Sequence, residues 1–214
     1  MIISVICPTF NSELYIQRTI DSIISQTISP NEVIFSDDGS HDKTIQIIEE
    51  NVKILEKMGI KITVIKNNHS GPGKNRNIAM SKASGDWFAF LDSDDDWEYN
   101  KIERLNYHKK NNNKCNVFLN WEKFYRKNNT IILLKNGNTF NYQISLEKQL
   151  YKNNFYSTSA VTIHKSIYSK FGGFDTSLPN GQDYEYWMKI ASVTKLCIIP
   201  EFLGNYYETK GNIT

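Results

Sequence analysis

Residues Trp87-Phe88-Ala89-Phe90-Leu91-Asp92-Ser93-Asp94-Asp95-Asp96 form an apolar run followed at once by an acidic segment. A short, wholly apolar run of this kind predicts a strand that is buried on both faces, as in parallel sheets. Ligands of parallel α/β sheets bind beyond the carboxyl ends of the strands. The change of polarity after Leu91 therefore predicts an α/β fold with a candidate ligand site at residues 92–96.

The residues before this run alternate between strand and helix patterns. Three further β-branched runs, 2–7, 32–36 and 61–65, predict strands. Two helical stripes lie between them, one after the expected caps Asn11 or Ser12 and one after Ser40. The stripes comprise Ile16, Ile20, Ile23 and Ile24, and then Ile45, Ile48, Val52 and Leu55. This alternation predicts a Rossmann-like, mostly parallel sheet flanked by helices.

The second half of the chain is less regular. It contains a polar stretch over 106–116, of which 109–114 is expected to be a solvated helix end, and a turn signal at Asn128-Asn129 that predicts a hairpin. A helical pattern over 182–192 places Tyr184, Trp187, Met188 and Ala191 on one expected buried stripe. We see no repeat and no domain boundary.

Length and composition limit the possible functions. The chain has 214 residues, of which 40% are hydrophobic, so it can bury one substantial core, and we expect a single domain, 1–214. The formal net charge is +2, with both signs spread along the chain. This balance gives no broad basic face, so we expect no nucleic-acid partner.

The sequence also indicates a location. The apolar start stops at Pro8 and has no basic leader, which favours a buried strand over a signal peptide. No window approaches the roughly 20 apolar residues that span a bilayer. Three cysteines, Cys7, Cys115 and Cys197, lack metal-ligand spacing and favour reduced thiols. We expect a cytoplasmic protein whose contact with the inner face of the cell membrane, if any, is peripheral.

Several carboxylates are expected at the strand ends, in Asp37-Asp38 and in the acidic segment 92–96. Because like charges repel, such a cluster favours a divalent cation with oxygen ligands. A Mg²⁺ or Mn²⁺ ion held by one or two carboxylates is typically completed by substrate phosphates. The pattern therefore predicts a metal-bound nucleotide diphosphate.

Two other ligand motifs are weighed against this prediction. An EF-hand loop starting at Asp92 would need glycine where Trp97 stands, and an entering helix where a strand is predicted. A P-loop over 71–75 would need glycine at Asn68 and serine or threonine at Asn75. Neither motif is complete. In that segment Lys74 and Arg76 are either cations for phosphate or plain surface charges, and local chemistry leaves both readings open.

Asp183 and Glu185 are the ionisable candidates in the last helical pattern. Residues two apart on a helix differ by about 200° in direction, so only one of them is expected to face a pocket as a base. Either acid could instead complement the dipole at the helix N-terminus.

Taken together, these motifs resemble the large inverting glycosyltransferase family with the GT-A fold, which uses nucleotide sugars to build bacterial polysaccharides and glycolipids. The resemblance rests on five blocks in order: Val5-Ile6-Cys7-Pro8-Thr9-Phe10-Asn11, Asp37-Asp38-Gly39-Ser40-His41-Asp42-Lys43-Thr44, Arg76-Asn77, Phe90-Leu91-Asp92-Ser93-Asp94-Asp95-Asp96-Trp97 and Gln182-Asp183-Tyr184. It implies a nucleotide-sugar-binding half over about 1–97 and a less regular acceptor-binding half over about 98–214.

The resemblance also implies roles for individual residues. Base and ribose contacts would come from Pro8, Thr9, Phe10, Asn11 and Asp38, with Asp37 behind it, and the base is often uracil. Lys74 and Arg76 would lie near the ribose or diphosphate. In the Asp-x-Asp motif, Asp94 would bind Mn²⁺ or Mg²⁺, with Asp92 holding ribose or metal waters. The nucleotide-sugar donor would also be bound by Asp92, Ser93 and Asp95. Asp183 would be the base that deprotonates a hydroxyl of a glycan or lipid-linked acceptor.

Two departures from the family pattern affect these expectations. Gln182 stands where relatives usually have glutamate before the base. In 204–212, Tyr207 and Thr209 stand where relatives often carry arginine and histidine near the diphosphate, and the end at Thr214 suggests truncation. A non-catalytic nucleotide- or glycan-binding module is therefore the alternative from another class. A sugar nucleotidyltransferase would need a Gly-rich, Arg-bearing loop after the first strand, which 8–11 does not supply.

Overall fold

The computed structural model describes residues 1–209. The strands are β1 (Ile3–Thr9), β2 (Glu32–Asp37), β3 (Lys61–Lys66), β4 (Trp87–Phe90), β5 (Asp96–Trp97), β6 (Val117–Tyr125), β7 (Ile131–Leu134), β8 (Val161–His164) and β9 (Leu196–Tyr207). The helices are α1 (Ile16–Ile24), α2 (Thr44–Lys57), α3 (Pro72–Lys82), α4 (Lys101–Asn111), α5 (Leu146–Lys152), α6 (Lys165–Phe171) and α7 (Gln182–Ile190), with 3-10 turns at Thr158–Ala160 and Ala191–Val193.

One sheet runs through the described part of the chain in the order β3-β2-β1-β4-β8-β6-β9-β5, with β7 paired to β6. The first four strands are parallel, as predicted from their apolar runs. From β8 onward the sheet is mixed, because β8 is antiparallel to both β4 and β6 while β6 and β9 are parallel. Helices flank the sheet, and buried side chains pack on both of its faces.

The four predicted strands of the first half are confirmed, but the predicted helix caps are wrong. The residue before α1 is Tyr15, and none of Asn11, Ser12 and Ser40 caps a helix through its side chain. These two side chains instead join the loops after β1 and β2, since Ser40 Oγ accepts from the Asn11 amide (2.9 Å) and Asn11 Oδ1 accepts from the His41 amide (3.0 Å). At the start of α2, the Asp42 carboxylate accepts a hydrogen bond from the Thr44 amide.

The second half contains the predicted hairpin, formed by β6 and β7, with Asn129 at a positive φ of 61° in the turn. The helical pattern near 182 is α7, extended by the 3-10 turn after it. Its buried stripe differs from the prediction, because Tyr186, Trp187 and Ile190 are buried together with Ala191. Tyr184 and Met188 are only partly buried against that core.

The expectation of reduced thiols is wrong for two of the three cysteines. Cys115 and Cys197 form a disulfide, with 5.9 Å between their Cα atoms and 82 residues between them in the chain. The pairing of β6 with β9, in which Val117 lies opposite Leu196, brings the two cysteines together. Cys7 is a buried free thiol in β1.

Within residues 1–209, no helix is both long and apolar enough to cross a membrane.

Candidate active site

The loops after β1 and β2 are held together by Asp37. Its carboxylate accepts hydrogen bonds from Thr9 Oγ1 (2.9 Å) and from the amides of Gly39 (3.1 Å) and Ser40 (2.8 Å). Asp37 is only 2% exposed, as is Thr9, and Pro8 before it is buried. These residues therefore shape the strand ends, whereas Phe10 and Asn11 are exposed there.

Asp38 fastens the loop between β3 and α3. Its Oδ1 accepts from the Ser70 amide (2.6 Å) and its Oδ2 from the Gly71 amide (2.8 Å), and His69 Nδ1 lies 2.9 Å from Oδ2. The His69 ring also packs on Phe10, with 4.5 Å between the ring centroids. An aromatic surface thus lies beside Asp38. A direct contact between Asp38 and a base would have to share oxygens that already hold this loop.

Arg76 extends from α3 to the acidic segment. Its Nη2 lies 2.6 Å from Asp92 Oδ1, and the Arg76 side chain is 8% exposed. The reading of Arg76 as a plain surface charge is therefore wrong, because the fold buries it against a carboxylate. Lys74 is exposed, so its contact with phosphate stays a prediction.

Asp94 lies on the open side of the acidic segment. Burial, followed by the negative charge of Asp92, raises the pKa of Asp94 above its usual value, while a hydrogen bond from Thr209 Oγ1 (3.0 Å) opposes that rise. Arg18 of α1 supports the same turn by donating to the Asp94 carbonyl (2.5 Å), and its guanidinium lies 3.5 Å from the Tyr207 ring centroid. Thr209 thus contacts this turn directly, and Tyr207 contacts Arg18, which supports it. These are the two positions at which the resemblance implies histidine and arginine. Residues 210–212 of the same segment lie outside the described residues.

Ser93 and Asp95 face inward. Ser93 Oγ lies 2.7 Å from Ser12 Oγ, and Asp95, which is 2% exposed, accepts a hydrogen bond from Ser159 Oγ (2.5 Å). Burial and then the charge of Asp94 raise the pKa of Asp95 well above its usual value. The two residues lie behind the open face of the motif, so their predicted contact with a donor stays a prediction.

The first turn of α7 presents Asp183. Asp183 is half-buried, and within residues 1–209 its carboxylate has no hydrogen-bond or ion-pair partner. Glu185 instead lies 3.8 Å from Lys189 one turn further along the helix. Of the two acids considered from the sequence, Asp183 is the one that remains free to act on a bound molecule.

Gln182 joins α7 to its surroundings. Its Nε2 donates to the carbonyls of Leu178 (2.7 Å) and Pro179 (3.2 Å). Its side chain also covers Gly73, where an added Cβ would lie 3.4 Å from Gln182 Cγ. An ionised glutamate cannot donate to two carbonyls, so glutamine is the residue that suits this loop.

We expect Gln182→Glu to lower the free energy of unfolding by about 1–3 kcal/mol, because both carbonyls lose their donor and face a carboxylate. Urea unfolding at neutral pH measures the change. Gln143→Glu is the matched control, since Gln143 is exposed and the charge change is the same. Equal stability of the two variants would contradict this role of Gln182.

The start of α3 brings the separate acids together. Asp38 binds the amide of Gly71, just before the helix, and Gly73 in its first turn contacts Gln182, the neighbour of Asp183. One turn further, Arg76 binds Asp92. The predicted site residues from β2, the acidic segment and α7 therefore surround one helix end.

The metal-ligating side chains at this site suit one metal ion whose remaining ligands come from a substrate. Among residues 1–209, no three or more His, Cys, Asp or Glu side chains are grouped to hold a metal. Two carboxylates, Asp92 and Asp94, are close enough for the charge of one to raise the pKa of the other. One or two carboxylates with phosphate oxygens is the ligand pattern that Mg²⁺ favours. The residues therefore fit Mg²⁺ or Mn²⁺ bound together with a diphosphate.

Sequence reasoning missed four polar residues around the acidic segment. They are Arg18, Lys101, Glu122 and Ser159, of which the last three are buried. Lys101 and Glu122 stand among other polar residues in the sequence, so no local pattern distinguishes them from surface charges. Only the tertiary fold brings them to the site, Glu122 from β6 and Lys101 from the start of α4.

Solved structures share this architecture. The crystal structure of S. aureus TarS 1-349 in complex with UDP-GlcNAc matches with a TM-score of 0.80 and 24% identity, covering 99% of this chain and 60% of that one. The sheet and helices therefore form a GT-A fold, as the sequence predicted.

The sequence identifies the family within that fold. The model of Glycosyl transferase family 2 matches residues 4–172, and the chain belongs to this family. It is 43% identical over 94 residues to the poly(ribitol-phosphate) beta-N-acetylglucosaminyltransferase TarS of Staphylococcus aureus. These 94 residues are 43% of this chain and 16% of TarS. It is 28% identical over 208 residues to an uncharacterized glycosyltransferase of Methanocaldococcus jannaschii, 96% of this chain and 70% of that protein. The chain thus spans only part of TarS, 37% of it in the structural match.

Proposed function

We propose that the protein is a metal-dependent inverting glycosyltransferase that moves a sugar from a nucleotide-diphosphate sugar, most simply a UDP-sugar, to a hydroxyl of a glycan or lipid-linked acceptor. The observation that carries the proposal is the meeting of Asp38, Asp92 and the Asp183 region around the start of α3. Membership of the family and the complex of TarS with UDP-GlcNAc support it. The activity belongs to cell-surface polysaccharide or glycolipid synthesis at the inner face of the membrane.

In this proposal, residues 1–97 bind the donor. Phe10 supplies an exposed ring for the base, and Asp38 contacts the base while fixing the loop beside it. Pro8, Thr9 and Asp37 shape the pocket. Arg76 and Lys74 offset the charge of the diphosphate, which suits a buried guanidinium that is already placed by Asp92.

Asp94, with Asp92, would hold the Mn²⁺ or Mg²⁺ ion at this site. When bound, such an ion offsets the charge that grows on the leaving diphosphate. Arg18 and Thr209 keep the Asp94 turn in place through its carbonyl and its carboxylate. Asp95 supports this metal shell from behind.

Asp183 takes the proton from the acceptor hydroxyl as that oxygen attacks the anomeric carbon from the face opposite the diphosphate. The carbon–oxygen bond to the diphosphate breaks as the new glycosidic bond forms, which inverts the configuration. The lack of a partner for Asp183 within residues 1–209 suits a base, because its oxygens are free to accept a proton. No covalent nucleophile is needed.

Residues 98–214 bind the acceptor in this proposal. A cavity of about 820 Å³ lies beside Thr209, the residue that donates to Asp94, and Phe124, Arg126 and Tyr206 are among its lining residues. Its aromatic rings offer stacking surfaces of the kind that suit a sugar ring. Thr209 links this cavity to the acidic segment, so an acceptor bound there would lie near the proposed donor site.

A non-catalytic nucleotide- or glycan-binding module is the second candidate. It is favoured by Gln182, which has a structural reason to be glutamine, and by Thr209 in place of a histidine. Turnover separates the two candidates, because a binding module would hold a donor without releasing nucleotide in an acceptor-dependent way.

The test is a panel of nucleotide sugars with Mn²⁺ or Mg²⁺, beginning with UDP-GlcNAc. We expect the fitting donor, at a concentration of 100 times its Kd, to stabilise the protein by about 2.7 kcal/mol. EDTA should remove most of this stabilisation and leave only weak, metal-independent binding, and UMP, which lacks the second phosphate, should give little of it. Acceptor-dependent UDP release confirms transfer. Stabilisation by none of the nucleotide sugars would contradict the proposal.

A further inference from the structure

Ser159 contacts the acidic segment from its buried side through both its side chain and its backbone. Its Oγ accepts from the Asp92 amide (3.1 Å) and donates to Asp95 Oδ2 (2.5 Å). Its carbonyl accepts from Lys101 Nζ (2.7 Å) and Trp97 Nε1 (3.3 Å). One residue thus joins both ends of the segment to the next strand and helix.

The topology explains this placement. Because β8 is antiparallel to β4, the residues just before β8 lie beside the residues just after β4. Ser159 therefore lies beside Asp92. The next strand, β6, has a register irregularity between Asn120 and Glu122, and burial of Glu122 places a further carboxylate on the same inner side.

The inner side carries a compact set of charges. Lys101 is fully buried, with its ammonium 4.5 Å from the centroid of the Trp97 ring. Burial lowers the pKa of Lys101 to about 7, and the charges of Glu122 and Asp95 oppose that shift. Within residues 1–209, Asp95 Oδ1 and Glu122 Oε1 are buried and lack hydrogen-bond partners. Loss of the single hydrogen bond that Ser159 donates to Asp95 would therefore leave a second buried carboxylate oxygen unsatisfied, which is costly.

We propose that Ser159 is a positioning residue for the acidic segment. It holds the Asp95 side chain on the buried side, so that Asp92 and Asp94 face the donor diphosphate. The inference rests on the proposed function. Without the Ser159 hydroxyl, the Asp92 amide loses its acceptor and Asp95 loses its donor, so the segment is held less firmly on its buried side while Arg18 still holds the Asp94 carbonyl. The affinity for the diphosphate in the presence of the metal should fall, whereas binding of the base should be unchanged.

The experiment compares Ser159→Ala with Thr162→Val. Thr162 is a buried neighbour in β8 whose Oγ1 has no hydrogen-bond partner among the described residues, so Thr162→Val removes a buried hydroxyl without breaking a bond. Calorimetry measures the Kd of UDP with Mn²⁺ and with EDTA, and electron paramagnetic resonance measures free Mn²⁺. We expect Ser159→Ala to weaken Mn²⁺-dependent UDP binding about tenfold, with the EDTA value and Thr162→Val unchanged.

Two outcomes of the variant comparison would overturn the inference. One is equal UDP affinity of Ser159→Ala and Thr162→Val with Mn²⁺, and the other is a loss of the same size in Mn²⁺ and EDTA. Hydrogen exchange of the wild type gives an independent check that needs no variant, because the Asp92 amide should be protected as strongly as those of β4. Rapid exchange there would also overturn the inference. Absence of Mn²⁺-dependent UDP binding by the wild type would instead contradict the proposed function.

Discussion

Replacing Asp183 by asparagine is expected to lower the kcat for sugar transfer by about 100- to 10,000-fold, the range that a positioned base contributes. Asparagine keeps the size of the side chain and can accept a hydrogen bond, but it cannot take the proton of the acceptor hydroxyl. Asp183 lies in the first turn of α7 and contacts no other side chain through a hydrogen bond within residues 1–209. The Kd for UDP should therefore stay at its wild-type value.

Glu185→Gln is the matched control for this prediction. It removes a carboxylate two residues along the same helix, where Glu185 lies near Lys189 rather than free. Initial rates of UDP release and calorimetric Kd values measure both variants. We expect Glu185→Gln to keep kcat close to the wild type. A large loss of kcat in Glu185→Gln together with a small loss in Asp183→Asn would show that Asp183 is not the base.

Replacing Asp94 by asparagine is expected to lower kcat/KM by about a thousandfold, since metal stabilisation of a leaving diphosphate amounts to several kcal/mol and each 1.36 kcal/mol is a factor of ten. The amide can still accept the hydrogen bond from Thr209, so the fold of the turn should persist. The dependence of UDP affinity on Mn²⁺ should disappear, which calorimetry with Mn²⁺ and with EDTA measures.

Asp86→Asn serves as the control for Asp94→Asn. Asp86 is exposed and precedes β4, at the end of the strand opposite the acidic segment. The same chemical change there should leave both activity and Mn²⁺ dependence at wild-type values. Persistence of Mn²⁺-dependent UDP binding in Asp94→Asn would mean that Asp94 is not the metal ligand.

The sequence predicts the first half of the fold well because each strand there is centred on a short run of β-branched or aromatic residues. Strand ends then follow from polarity alone, as at Leu91 and Asp92. Helix caps were predicted less well, since Asn11 and Ser40 are good local caps that bind each other across two loops. A side chain that has a distant partner does not show it in local sequence.

The same limit applies to the site. The acids of the motifs are visible because they interrupt apolar runs, and the fold does bring their regions together at α3. The burial of Arg76 and the contacts of Ser159 and Lys101 depend on residues 16 to 67 positions away. The order of β8 beside β4, which creates the contacts of Ser159, has no signal in either strand alone. The disulfide between Cys115 and Cys197 was missed for the same reason.

The most direct test of the central claim is a crystal structure of the protein with UDP and Mn²⁺, with the metal located by its anomalous signal. We expect one Mn²⁺ ion against Asp94 and the diphosphate, uracil beside Phe10 and Asp38, and Asp183 across the same cleft. Electron density for UDP elsewhere, or Mn²⁺ bound away from the acidic segment, would contradict the account.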